Sequence, residues 1–203
     1  MQHPNLTLQS DLHGFFQELV SQTLDGRPDR PSPVIEQYLV GLLEASAAPR
    51  GEGLVEQAMK GPLVVQLSDA LHAPSHQRFE RLVRLGDGIL VLGGLFEPHV
   101  KRSGLDERYV STMGARAYSA ASNLLVPAAE SKAGALDVLG RMAAEFGRLM
   151  ALLRDISDTL LARSARSAND WARLCEKWLT QRSAHLERLL RSQGILVASG
   201  NLA

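Results

Sequence analysis

Between Leu82 and Phe96 the chain reads LVRLGDGILVLGGLF, and from Leu85 onward Asp87 is the one charge in a run that is apolar on every side. A helix with no polar face belongs in the middle of a protein rather than on its surface. Gly86, Gly88, Gly93 and Gly94 each lower its intrinsic helix propensity by about 1 kcal/mol relative to Ala. Such a helix is held by its neighbours, which approach where no side chain projects. The run therefore locates the core and predicts that Gly88 to Leu95 are almost wholly inaccessible.

The flanking sequence supplies those neighbours. Leu12, Phe15, Phe16, Leu19 and Val20 follow one helical face behind Ser10 or Asp11 as a cap. DGRPDRPSP, residues 25–33, is dense in turn formers, and Ser32-Pro33 reads as an N-cap with proline at the first helical position. Val34, Ile35, Tyr38, Leu39, Leu42 and Leu43 form the next face. A short turn from Leu54 to Met59, a helix starting at Pro62 and the central helix starting at Pro74 follow. Glu97-Pro98 ends the central helix, and Asp106 caps the next one, which carries Tyr109, Val110, Met113, Ala117 and Ala121. Two long helices, about Leu136 to Arg163 and about Asn169 to Gln193, complete the chain before the apolar ending ILVASGNLA. The expected fold is all-α, a single-domain bundle of about six to eight helices over residues 1–203, with mobile ends at 1–8 and 195–203.

Composition narrows the classes of function. Twenty-two basic residues balance 22 acidic ones, which removes the global electrostatic argument for nucleic acid. No run reaches the roughly 18 apolar residues of a membrane-spanning helix. The first residues, MQHPNLTLQSDLHGFF, lack the basic and apolar regions of a secretory signal. A lone Cys175 cannot form an internal disulfide, and together these features predict a cytoplasmic protein.

Few residues suggest chemistry. His72 and His76 have metal-ligand spacing, but Pro74 between them prevents one helix from presenting both, and no Glu-x-x-His pair occurs, so no metal or cofactor is expected. Cys175 lies among Trp171, Leu174 and Trp178, the setting of a buried structural thiol; His185 is about 15 Å further along a helix, too far to act as its base. GDGILVLGG lacks the Lys-Ser/Thr of a phosphate-binding loop and the preceding strand of a dinucleotide site. Asp87 stands out. A carboxylate in packed surroundings must be neutral or find a partner, and Arg102, Arg116, Tyr109 and Tyr118 on the next elements are candidates. HVKRSGLDER, residues 99–108, gathers His99, Lys101, Arg102 and Arg108 at a helix junction where an anion can bind.

LGDGILVLGGLFEPHVKRSG, followed by Tyr109 and MGARAY, resembles a pattern of an uncharacterised, all-helical bacterial protein family. The matching positions are Asp87, Gly94, Phe96, Arg102, Tyr109, Gly114, Ala117 and Tyr118, within about a sixth of the chain. The resemblance implies the helical fold and no particular activity.

Three readings follow. The first is a non-enzymatic adaptor, regulator or assembly component that binds another protein or a second copy of itself, through Leu174, Trp178, Ile195, Leu196 and Val197. The second is a bundle that holds a small hydrophobic ligand between its helices. The third is an enzyme with a site around Asp87, His99, Arg102, Tyr109 and Tyr118. Fold alone does not choose between them, because function resides in sites grafted onto folds.

Overall fold

The computed structural model describes residues 4–47, 53–125 and 137–195, with side chains from residue 11 onward. Among the described residues there are eleven helices and no strand: α1 (Pro4–Leu24), α2 (Pro33–Ala47), α3 (Leu54–Ala58), α4 (Leu63–Leu71), α5 (Ser75–Leu95), α6 (Glu97–Arg102), α7 (Glu107–Leu125), α8 (Val138–Ala144), α9 (Phe146–Ser164), α10 (Ala168–Gln181) and α11 (Ala184–Ser192). LVVQL, residues 63–67, is helical despite its β-branched pair.

α5 is the axis. It packs against α2, α3, α4, α6, α7 and α9, and every residue from Gly88 to Gly94 is buried, with Leu95 half-exposed. Its glycines and those facing it are sockets for large side chains. A Cβ at Gly86 would lie 2.6 Å from the Tyr118 ring, and one at Gly114 on α7 would lie 2.0 Å from the Phe146 ring. Gly88 lies against backbone: a Cβ there would meet the Leu54 carbonyl oxygen at 2.6 Å, so α3 crosses α5 at this notch. The glycines cost helix propensity and return it as close packing of aromatic rings in the core.

The helix count exceeds the expected six to eight for local reasons. α1 starts at Pro4 rather than at Ser10 or Asp11. Proline suits a first helical turn because its missing N–H would be unpaired there anyway. The expected helix over 136–163 bends at Glu145 into α8, which packs on α7, and α9, which runs across α5 and α1. The expected last helix breaks at Arg182, whose φ of 52° is left-handed, and Ser183 caps α11 by accepting from the Leu186 N–H. α10 itself starts earlier than Asn169: Ser167 caps it, and Asp170 closes the reciprocal capping box. Asp106 caps α7 as expected, accepting from the Tyr109 N–H at 3.0 Å.

The apolar interior is in two parts. The larger joins α1 to α9, with Val100 as the contribution of α6. The smaller holds Leu174, Trp178, Leu186 and Leu190 of α10 and α11, with Ala162 of α9 against it.

Candidate functional site

Asp87 sits on α5 where α2 and α7 converge. The hydroxyls of Tyr38 (α2) and Tyr118 (α7) both donate to its Oδ1 at 2.6 Å. The two rings meet edge to face with centroids 6.4 Å apart, and Tyr118 stacks at a tilt on Phe146 at 5.6 Å. Gly86, one residue before the carboxylate, leaves the space that the Tyr118 ring fills. Sequence, socket, ring and hydrogen bond thus form one unit that ties three helices in register. Burial pushes the Asp87 carboxyl above the ordinary carboxylate range, against the pull of the two tyrosine hydrogen bonds. Burial and the facing carboxylate in turn push both tyrosine hydroxyls upward, so they remain donors.

Of the five residues expected to share a ligand site, the structure joins Asp87 and Tyr118 only. The Tyr109 hydroxyl accepts from the Val64 N–H at 3.2 Å, pinning the start of α4 to α7. His99 is half-exposed on α6, and Arg102 is exposed at its end. Neither contributes to the Asp87 cluster, whose second tyrosine is Tyr38 from a helix that sequence reasoning did not consider for it. The surface clefts of about 240, 430 and 440 Å³ at Leu174, at Arg30 and at His185 are not lined by Asp87, Tyr38 or Tyr118.

The residues expected to face a partner fare differently again. Leu174 and Trp178 are 5% and 4% exposed and lie in the chain's own smaller core. Ile195 packs against the same core, while Leu196 and Val197 lie outside the described residues. The Trp178 indole Nε1 is buried without a hydrogen-bond partner, and the Arg182 guanidinium lies 4.6 Å over the ring.

Two buried acids passed unnoticed in the sequence. Glu97 opens α6, where Lys101 pairs with it at 2.9 Å and Gln181 of α10 donates to it at 2.9 Å. Burial alone would raise its carboxyl, but the Lys101 hydrogen bond and the charges of Arg154, Lys101 and Lys177 hold it below its ordinary value. Asp158 on α9 is 1% exposed and pairs with Lys177 of α10. Burial nevertheless holds it above its ordinary value. Beside it, Thr159 lies 2.9 Å from Nε2 of the buried His185 and accepts from Thr23 at 3.1 Å. The signal was present: Asp155, Asp158 and Thr159 are spaced i, i+3, i+4, a polar row with the small Ala162 one turn on, beside the apolar row of Leu149, Leu153 and Ile156. Among the described residues no group of three or more His, Cys, Asp or Glu is arranged to hold a metal ion, and no helix is long and apolar enough to cross a membrane.

Comparison of the chain with protein-family models, with curated proteins and with solved structures finds no match.

Proposed function

We propose that this protein works without catalysis, as an adaptor, regulator or assembly component that binds another protein or a second copy of itself, and that the outer surface of α4 makes the contact. The observation that carries this reading is the apolar exposure of that helix. Val64 and Val65 are 54% and 50% exposed, Leu71 lies on the same row as Val64 two turns on, and Met59 is exposed in the turn before. Single exposed apolar residues are ordinary, but several on one short helix are the kind of patch that marks an interaction surface. The Asp87 cluster supports the same reading from the other side. Its polar atoms are directed at one another across three helices, which suits a residue that sets helix register. The lone Cys175 and the family resemblance support a bacterial cytoplasmic setting.

A photoreactive residue placed at Val65, with one at the exposed Glu176 of α10 as control, tests the assignment in the cells the protein comes from. The expected result is one discrete crosslinked product at Val65 that disappears when Val64 and Leu71 are changed to Glu, with helicity unchanged. Equal crosslinking at both positions, or a product insensitive to the Glu changes, overturns it.

A further inference from the structure

The α10–α11 hairpin has an apolar core and caps of its own. Its two helices share the core of Leu174, Trp178, Leu186 and Leu190. Each carries its own N-cap: Ser167 with Asp170 for α10, and Ser183 for α11. Asp170 also accepts from the Arg166 and Ser167 N–H groups, so the entry to the hairpin is fixed locally rather than by the main bundle.

Its attachment has a different character. The face of α9 that receives the hairpin is Asp155, Asp158, Thr159 and Ala162, while Leu149, Leu153 and Ile156 turn to the main core. Ala162 gives the apolar contact, and the other couplings are polar: Lys177 to Asp158 and His185 to Thr159 on α9, and Gln181 to Glu97 on α6. Separating such a seam exposes groups that water can satisfy and little apolar surface, whereas separating α5 from α7 would expose buried rings. Regions that open as a unit come from this low-cost end of a structure.

His185 is the titratable group on which the seam depends near neutral pH. It is buried. The charged groups that face it are Asp155 from α9, Arg27 from the α1–α2 connection and Arg188 from the next turn of α11. Asp155, its natural counter-charge, is already paired with Arg27, which also pairs with Asp29. A proton on His185 would therefore add a buried cation beside Arg188 and beside an Arg27 that already engages Asp155 and Asp29. Burial first, and then Arg188 and Arg27, hold its proton affinity below the ordinary histidine value, with Asp155 opposing them.

We propose that the α10–α11 hairpin is a latch that leaves α9 as a unit when His185 is protonated, while the main bundle stays folded. The chain carries its own reporter, because Trp171 and Trp178 are its only two tryptophans and both lie on α10. The test follows tryptophan emission, its quenching by acrylamide and far-ultraviolet circular dichroism of the full chain from pH 8 downward. The expected result is a red shift with increased quenching, at a midpoint below about 6.5, the ordinary histidine value, while helicity persists. His185→Gln should remove that midpoint. Amide exchange of the unmodified chain at pH 7.5 and 5.5, corrected for the intrinsic rate, should show loss of protection across α10, α11 and the outer face of α9 but not in α5. This second reading needs no variant to fold. Emission and helicity that change together, a midpoint that survives His185→Gln, or exchange that rises equally in α5 and α11 overturns the proposal.

Discussion

The main bundle and the C-terminal hairpin bury leucines equally well, yet they are joined to their surroundings by opposite chemistries. α5 is locked by shape: Tyr118 and Phe146 fill spaces that Gly86 and Gly114 leave open, and the sole carboxylate in the buried run is held by two tyrosines. The hairpin is locked by charge and hydrogen bonds, with Asp158, Glu97 and Thr159 beneath Lys177, Gln181 and His185. Shape-locked contacts are insensitive to pH and intolerant of added volume. Polar seams are sensitive to pH and indifferent to small changes of shape. The two halves should therefore fail under different perturbations.

The largest effect expected is from cavity formation, and it separates the regions directly. Leu90 in α5 and Leu186 in α11 are both fully buried. Leu90→Ala should cost about 2–5 kcal/mol and shift the whole unfolding transition, because its cavity lies in the shared core. Leu186→Ala loses a comparable packing term, but only the hairpin should melt early. Denaturant unfolding followed by tryptophan emission and by circular dichroism checks this. Coincident curves for Leu186→Ala would show a single cooperative unit and break the comparison.

Next in size is overpacking. Gly114→Ala places a methyl group 2.0 Å from the Phe146 ring, so the ring or the helix must move. A cost of about 1–3 kcal/mol is expected from added volume in a packed core. Combining it with Phe146→Leu should cost less than the sum of the two single changes, since the smaller side chain vacates the space. Strict additivity in a double-mutant cycle would show that the glycine is not a socket for that ring.

The shape-locked half was also the legible half. A run with no polar face announces burial, and the all-helical class follows from periodicity at Leu12–Val20, Val34–Leu43 and Tyr109–Ala121. Capping residues placed the starts of α2 and α7. What periodicity could not show was direction: which face of α9 would be covered by polar groups, or that Tyr38, far from Asp87 in sequence, would share its oxygen with Tyr118. Pairings between distant helices depend on how the bundle closes, which no local pattern contains. The breaks at Glu145 and Arg182 were missed because helical spacing continues through both. Ser183 was the available warning for the second, being an N-cap residue type followed within a turn by Glu187. Trp178 pointed toward an interface when read as an aromatic alone; its burial with Leu186 and Leu190 was invisible until the chain turned back on itself at Arg182.

A further check replaces the seam's buried ion pair. Lys177→Met leaves Asp158 buried without its cation and should destabilise the hairpin by about 3 kcal/mol or less, since Lys177 retains some contact with water. Adding Asp158→Asn should recover much of that loss. Failure of the second change to recover stability would mean that Lys177 acts through its stem rather than its charge.

The smallest effect expected is that of Asp87→Asn, and its sign is the informative part. Burial raises the folded-state proton affinity of this carboxyl above that of the unfolded chain. Its favourable contribution is then fully present below the unfolded value near 3.9 and is lost as pH rises through the higher folded value. Burial burdens the charged form. Asp87→Asn keeps an acceptor oxygen for the Tyr38 and Tyr118 hydroxyls and removes the buried charge, so it should leave stability unchanged or raise it by up to about 1 kcal/mol at pH 7. The difference from the parent should shrink as pH is lowered and the parent's own carboxyl becomes neutral. Asp87→Ala deprives both hydroxyls of their acceptor and should cost about 1–3 kcal/mol across the same range. Urea unfolding of the three proteins between pH 4 and 8 reads both effects. A loss of more than 1 kcal/mol in Asp87→Asn that grows with pH would show that the two tyrosines require the charge itself, and that the shape-locked half of the molecule also holds a working ionic bond.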